Sequence, residues 1–152
     1  MELVEDTLAA DLETFLARPL FCFLATASPE GPRVSPLWYL WEDGAVWITV
    51  NPDLKSYPGR IESDPRTALA VVDFDASRGL VQHVGMRGTA SIEAFDPGRT
   101  KRLFRRYLGR EEGWDGRFHA VFERSERYRL VRFEPETVVA RDQSYAPAGP
   151  GL

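Results

Sequence analysis

The chain has 152 residues, and its 19 basic and 23 acidic side chains give a formal net charge of −4. This balance argues against a dedicated nucleic-acid-binding protein, because neutralising phosphates requires a clustered excess of positive charge. With 43% hydrophobic and 12% aromatic residues, the chain can form a packed core and has the usual size of one domain.

The first third of the chain predicts one helix followed by three short strands. Apolar residues recur at helical spacing within residues 4–17, and Arg18-Pro19 ends the helix because proline disfavours helical geometry at the residue before it. Strands are predicted over residues 21–27, 33–41 and 45–51. Only short turns separate them, and the second is Glu42-Asp43-Gly44. Short turns favour an antiparallel meander, since parallel strands need long crossovers.

The rest of the chain predicts three more strands and one or two helices. Within residues 51–64, Pro58-Gly59 favours either a loop or a helix that begins at Pro58. Strands are predicted over residues 67–74, 80–94 and 128–141. Gly85 and Gly88 each suggest a bulge or a close backbone approach. A helix should begin at Asp96-Pro97 and stop near Gly109, and a second short one is possible over residues 114–122.

Together these elements predict an α+β fold around a six-stranded antiparallel β-barrel. The N-terminal helix precedes the strands, and the later helices come before the last strand. Closure into a barrel is favoured because it removes exposed sheet edges. One domain is expected over residues 8–141, and the Pro- and Gly-rich residues 142–152 should form a flexible tail.

The sequence lacks the motifs of several common kinds of functional site. No Gly-rich nucleotide-binding loop and no Cys or His spacing of a metal site occurs, so no metal is expected. His83 and His119 are the only histidines, which gives a hydrolase weak support, and no catalytic side chain is assigned. Cys22 lies in an apolar run and is expected to be a buried, inert thiol.

The sequence also predicts where the protein resides. No apolar run approaches the roughly 20 residues that a membrane helix needs, and the first six residues are acidic where a secretory signal would be basic and then apolar. We therefore expect a cytoplasmic protein without a membrane or nucleic-acid partner.

Pro36 stands inside the second predicted strand, among aromatic residues. Because proline donates no hydrogen bond to a strand ladder, it implies a sheet edge or a break in pairing. Backbone groups freed there could contact a flat ligand. Alternatively, Pro36 only protects an edge and the tryptophans are core residues.

Polar and basic residues follow the third predicted strand. They are Thr49, Asn51, Lys55, Ser56 and Arg60. Hydroxyls, backbone amides and cations at a strand-to-loop junction suit a phosphate group. A solvated loop is an equally good interpretation of the residues alone.

Residues 23–44 resemble the opening of the pyridoxamine 5′-phosphate oxidase-like, FMN-binding split-barrel family. The resemblance rests on Leu24-Ala25-Thr26, a turn with glycine, and the pattern x-x-x-P-x-W-x-x-W-x-x-G. Residues 63–69 and 85–90 look like later landmarks of that family, so the likeness extends over residues 8–140.

This resemblance implies a homodimer with two cofactor sites at its interface. The cofactor would be FMN or coenzyme F420, with haem a weaker alternative. Ser35, Pro36, Leu37 and Trp38 would flank the ring, Thr49, Val50 and Asn51 would lie near the ribityl chain, and Lys55, Ser56 or Arg60 would meet the phosphate. In one departure, Tyr57 stands where many relatives have a lysine.

The implied function is that of a flavin- or deazaflavin-dependent oxidoreductase. It would transfer a hydride to or from a small planar organic substrate. The alternative is a non-catalytic protein of the same fold that binds or stores FMN, F420 or haem.

Overall fold

The structure of the chain is a computed structural model that describes residues 1–149. The strands are β1 (Glu2–Asp6), β2 (Cys22–Thr26), β3 (Arg33–Leu37), β4 (Leu40–Glu42), β5 (Ala45–Val50), β6 (Arg66–Asp75), β7 (Leu80–Ala94) and β8 (Arg129–Asp142). The α-helices are α1 (Leu12–Leu16), α2 (Tyr57–Ser63), α3 (Pro97–Leu108) and α4 (Gly116–Glu123). None of the helices in this described part is long and apolar enough to cross a membrane.

One sheet holds all the strands, in the order β3-β2-β6-β7-β8-β5-β4, with β1 parallel to β8 at the side. β3 and β4 stand at opposite ends of this order, yet only Trp38 and Tyr39 separate them in the chain. The three Cα–Cα steps from Leu37 to Leu40 span at most about 11 Å, so the sheet must curl until its ends lie close together. The expected α+β fold with a curled antiparallel sheet is confirmed, and the barrel is split at the unpaired seam between β3 and β4.

The strand count differs from the six predicted, since the sheet has eight strands. The predicted strand over residues 33–41 is interrupted at Trp38 and Tyr39, which gives β3 and β4. β1 occupies residues that include the start of the predicted first helix, and that helix is confined to α1. The pairing of β1 with β8 joins residues about 135 positions apart, which no local pattern can reveal.

Local turn and capping signals predicted several boundaries correctly. The carboxylate Oδ1 of Asp96 accepts a hydrogen bond from the Arg99 amide at 3.1 Å, so Asp96 caps α3, and Gly109 follows the last helical residue. Pro58 lies in the first turn of α2, as expected for a helix that begins there. Asp43 and Gly44 have φ values of 55° and 68°, which indicates a type I′ turn between β4 and β5.

Glycine is required at one of the two predicted positions in β7. The register between β7 and β8 shifts at Arg87/Gly88, and a Cβ atom at Gly88 would stand 2.0 Å from the carbonyl oxygen of Glu134. The close approach is therefore confirmed at Gly88. At Gly85 a Cβ would meet nothing within 4 Å, so the same prediction is wrong there.

The chain continues along β7 after β8 ends. The amides of Gln143 and Tyr145 donate 2.8 Å hydrogen bonds to the carbonyl oxygens of Val81 and Gly79, respectively. Residues 146–149 carry no regular structure. Residues 150–152, the end of the predicted flexible tail, lie outside the described residues.

Two hydrophobic clusters fill the molecule, one on each face of β5. Val46, Ile48 and Val50 belong to the cluster inside the curled sheet, while Ala45 and Trp47 belong to the cluster under α3 and α4. β5 is therefore buried on both faces, because the two helices cover its outer side. This packing holds α3 and α4 beside the split.

Helix α3 satisfies the backbone groups that the split leaves unpaired. The Tyr107 hydroxyl accepts from the Tyr39 amide at 3.1 Å and donates to the carbonyl of Leu20 at 2.7 Å. The Arg106 guanidinium donates to the carbonyl oxygens of Tyr39 and Arg18. A buried backbone group without a partner is destabilising, so these contacts allow the seam to be buried.

We therefore predict that Tyr107→Phe destabilises the protein. The ring can still pack, but the Tyr39 amide loses its acceptor, which should lower the free energy of unfolding by about 1–3 kcal/mol. Urea denaturation measures this change. Tyr145→Phe, at a half-exposed tyrosine, is the control. Equal unfolding midpoints for the two variants would show that the hydroxyl does not stabilise the seam.

Candidate functional site

A groove opens beside the split, between β3 and β5 on one side and α3 and α4 on the other. It consists of two adjoining cavities of about 540 and 350 Å³. Both are lined by Leu37, Thr49, Lys55, Phe104, Arg117 and Phe118. Volumes of this order are typical of small-molecule sites, so we call this space the seam groove.

The structure brings seven of the ten predicted site residues to the seam groove. These are Pro36, Leu37, Trp38, Thr49, Val50, Asn51 and Lys55. Ser35, Ser56 and Arg60 do not line either cavity. Pro36 lies on β3, which pairs with β2 and forms one end of the sheet among the described strands, so the prediction of an edge is confirmed.

Arg60 contacts both Ser56 and the end of β2. The Nε of Arg60 donates to the Thr26 hydroxyl at 2.8 Å, and its Nη1 donates to the Ser56 hydroxyl at 2.8 Å. Thr26 is buried, and its hydroxyl gains a charged donor here. The guanidinium of Arg60 therefore connects α2 to the end of β2.

Trp38 is held by the two helices that border the groove. Its ring stacks on Tyr107 with the centroids 4.6 Å apart and the planes inclined by 2°. It also stacks on Phe118, at 5.8 Å and 18°. Such pairs stabilise by about 0.5–1.5 kcal/mol beyond the burial of area, so Trp38, α3 and α4 form one rigid wall.

Polar groups are sparse in the groove, and most already have a partner. The hydroxyl of Thr49 shares a 2.9 Å hydrogen bond with the buried Thr100. The side-chain oxygen Oδ1 of Asn51 accepts a hydrogen bond from the backbone amide of Asp53 at 3.0 Å. The side-chain NH₂ group of Asn51 takes no part in that bond. Burial raises the pKa of the Tyr57 hydroxyl far above its usual value, so Tyr57 is neutral.

The only charged side chains among the described residues that line the groove are Lys55 and Arg117. Lys55 follows β5, as the sequence indicated, whereas Arg117 comes from α4, 62 positions further along the chain. No pattern in the sequence singled out the groove residues Arg117, Phe118, Leu103 and Phe104. Their spacing predicted helices, but no local signal shows where those helices pack.

The histidines and the cysteine lie elsewhere. The Nε2 of His83 is 3.2 Å from the side-chain oxygen of Gln143, and β7 places His83 opposite Arg141. His119 packs on Trp114, with the ring centroids 5.6 Å apart. Cys22 is buried, as expected, and this burial raises the pKa of its thiol to about 12, which disfavours the reactive thiolate. The described groove lining thus contains no histidine, cysteine, aspartate or glutamate.

Comparison with known proteins shows the family and the fold. The family model described as pyridoxamine 5′-phosphate oxidase matches residues 8–142. No curated protein matches the sequence significantly.

Three solved structures illustrate the range of similar proteins. The conserved hypothetical protein Rv2991 from Mycobacterium tuberculosis is 21% identical, with 99% of each chain covered and a TM-score of 0.73. An F420 reductase is 22% identical over 86% of this chain and 98% of that chain, with a TM-score of 0.64. The haem storage protein HutZ from Vibrio cholerae is 13% identical over 88% of this chain and 93% of its own, with a TM-score of 0.67.

Two substitutions should show that Arg60 stabilises the fold and that the exposed Lys55 does not. Arg60→Ala removes the donor to buried Thr26, so the free energy of unfolding should fall by about 1–3 kcal/mol. Lys55→Ala removes an exposed side chain and should change it by less than about 0.5 kcal/mol. Urea denaturation of both variants checks this difference. Equal stability of the two would contradict a structural role for Arg60.

Proposed function

Because the chain belongs to the pyridoxamine 5′-phosphate oxidase family, we propose that the seam groove binds FMN or coenzyme F420. The protein would then be a flavin- or deazaflavin-dependent oxidoreductase that moves a hydride to or from a small planar organic substrate. The bound cofactor would supply the redox chemistry, while the protein positions the reactants and excludes water.

The composition of the seam groove is the observation that carries this proposal. Apolar and aromatic side chains make up most of its walls, and its charged lining residues are the cations Lys55 and Arg117. The net charge of the chain is nevertheless −4. A groove with apolar walls and two cations fits a ligand that combines a flat ring with an anionic group.

By the family resemblance, different lining residues would contact the ring, the chain and the anionic group of such a ligand. Pro36, Leu37 and Trp38 would border the ring, and Thr49, Val50 and Asn51 would lie near the chain that follows it. Lys55 would meet the anionic group. Ser35, Ser56 and Arg60 do not line the groove. They would contact the ligand if it extends beyond the groove or if the hydrogen bonds of Arg60 to Thr26 and Ser56 rearrange.

Within the part of the chain that the structure describes, the groove lining contains no carboxylate or imidazole that could act as a general acid or base. Its residues would therefore bind and orient the reactants, and a single substitution should weaken binding more than it abolishes hydride transfer. The same observation supports the alternative function, in which a cofactor is bound or stored without turnover. HutZ is described as a haem storage protein, but neither histidine of this chain lines the groove.

We further propose that two copies of the chain associate through the outer face of the sheet. The outward side chains of β2, β3 and β6 there are mostly apolar, and together with Arg87 of β7 they line a cavity of about 490 Å³. Val34 is 65% exposed and Phe74 is 61% exposed. A large exposed apolar surface of this kind favours association, and an isologous dimer buries the same face on both copies.

The proposed dimer predicts that Val34→Glu yields monomers. A carboxylate at this outward position would lose its hydration when the two faces meet, which is unfavourable. Sedimentation equilibrium measures the mass, and Ser125→Glu, in an exposed turn after α4, is the control for added charge. A wild-type protein that sediments as a monomer would refute the dimer.

Titration with FMN, F420 and haem side by side tests the proposed cofactor. We expect saturable binding of FMN or F420, detected by quenching of the ligand's own fluorescence, and reduction of a planar acceptor when the reduced cofactor is supplied. Binding without turnover across a panel of such acceptors would support the storage function instead. Failure to bind either ring would refute the proposal.

A further inference from the structure

Helix α4 places a second cation at the seam groove, at a position that the sequence did not single out. Arg117 lines both cavities of the groove, as does Lys55. The two come from different elements: Lys55 follows β5, and Arg117 lies in the first turn of α4. A ligand that reaches both side chains would be held from two sides.

The guanidinium of Arg117 is positioned but retains its hydrogen-bonding capacity. Its Cζ lies 4.9 Å from the centroid of the Phe118 ring, and Phe118 in turn stacks on Trp38. The nearest carboxylate oxygen, Oδ1 of Asp115, is 4.0 Å from Nε, too long for a good hydrogen bond. The side chain is 78% exposed, so an anion can approach it.

Other arginines near the split are already engaged. Arg60 donates to Ser56 and Thr26, and Arg106 donates to backbone carbonyl oxygens at the seam. Within the described residues, Lys55 forms no hydrogen bond or ion pair through its side chain, and Arg117 forms none closer than that 4.0 Å contact. Their N–H groups are therefore available to a ligand without any internal bond being broken.

We propose that Arg117 and Lys55 together hold the anionic end of the groove's ligand, and that Arg117 determines selectivity for phosphate-bearing ligands over uncharged ones. The inference rests on the proposed function, since it concerns the same groove. An arginine suits this role because its planar fork can donate two parallel hydrogen bonds to a phosphate. Lys55 would add a second positive charge from the opposite element.

The experiment compares pairs of ligands that share a ring and differ in charge. Riboflavin is matched with FMN, and the uncharged deazaflavin chromophore is matched with F420. Dissociation constants are measured by fluorescence for the wild type, Arg117→Ala, Lys55→Ala and Arg117→Lys. Arg110→Ala is the matched control, because Arg110 is exposed and lines a separate cavity. Circular dichroism verifies that each variant folds.

We expect the wild type to bind the charged member of a pair at least about tenfold more tightly. Arg117→Ala and Lys55→Ala should each remove about tenfold of that preference and change the affinity of the uncharged member less than about twofold. Arg117→Lys should restore part of the loss. Raising the salt concentration should weaken binding of the charged member only, because both cations are exposed to solvent.

The outcomes separate this inference from the proposed function. Equal affinity for both members of each pair, or an Arg117→Ala variant that behaves like Arg110→Ala, would overturn the role of Arg117 while ring binding stands. If neither ring binds the wild type, the proposed function fails, and the role of Arg117 fails with it.

Discussion

The two-residue link between β3 and β4 is the constraint on which the rest of the structure depends. Because Trp38 and Tyr39 join opposite ends of the sheet, the sheet must curl, and its two end strands meet without pairing. The unpaired backbone there needs other partners, which Arg106 and Tyr107 of α3 provide. The same helix, with α4, then borders the groove that remains beside the seam.

Ion pairs fix α3 in this position. The guanidinium of Arg102 donates two 2.7 Å hydrogen bonds to the carboxylate of Glu42 on β4. Arg99 contacts the same carboxylate and lies over the Trp47 ring, 3.9 Å from its centroid. Glu42 thus neutralises Arg99 and Arg102 of α3, while the backbone carbonyl oxygens at the seam accept the hydrogen bonds of Arg106. Lys55 makes no ion pair among the described residues, and Arg117 is only 4.0 Å from the exposed Asp115 carboxylate, so the groove keeps two available cations in an acidic protein.

The central strand β6 carries apolar side chains on both faces, but only its inner face is buried. Leu69 and Val71 are buried inside the curled sheet, whereas Val72 and Phe74 point outward and are exposed. An apolar run on both faces is typical of a strand covered on both sides, but the described residues cover only the inner face of β6. Association through the outer face would resolve this contrast.

Local signals in the sequence determined much of the secondary structure, because caps and turns act over a few residues. Asp96, Gly109 and the Asp43-Gly44 turn were predicted correctly for this reason. Pro36 correctly indicated a sheet edge, and the motif of residues 23–44 led to the family, the fold and the strand residues that line the groove. Tertiary structure alone decided which side chains share the site. It engages Arg60 with Thr26 and Ser56, and it carries Arg117 to the groove, because helix packing depends on contacts between distant parts of the chain that no local pattern encodes.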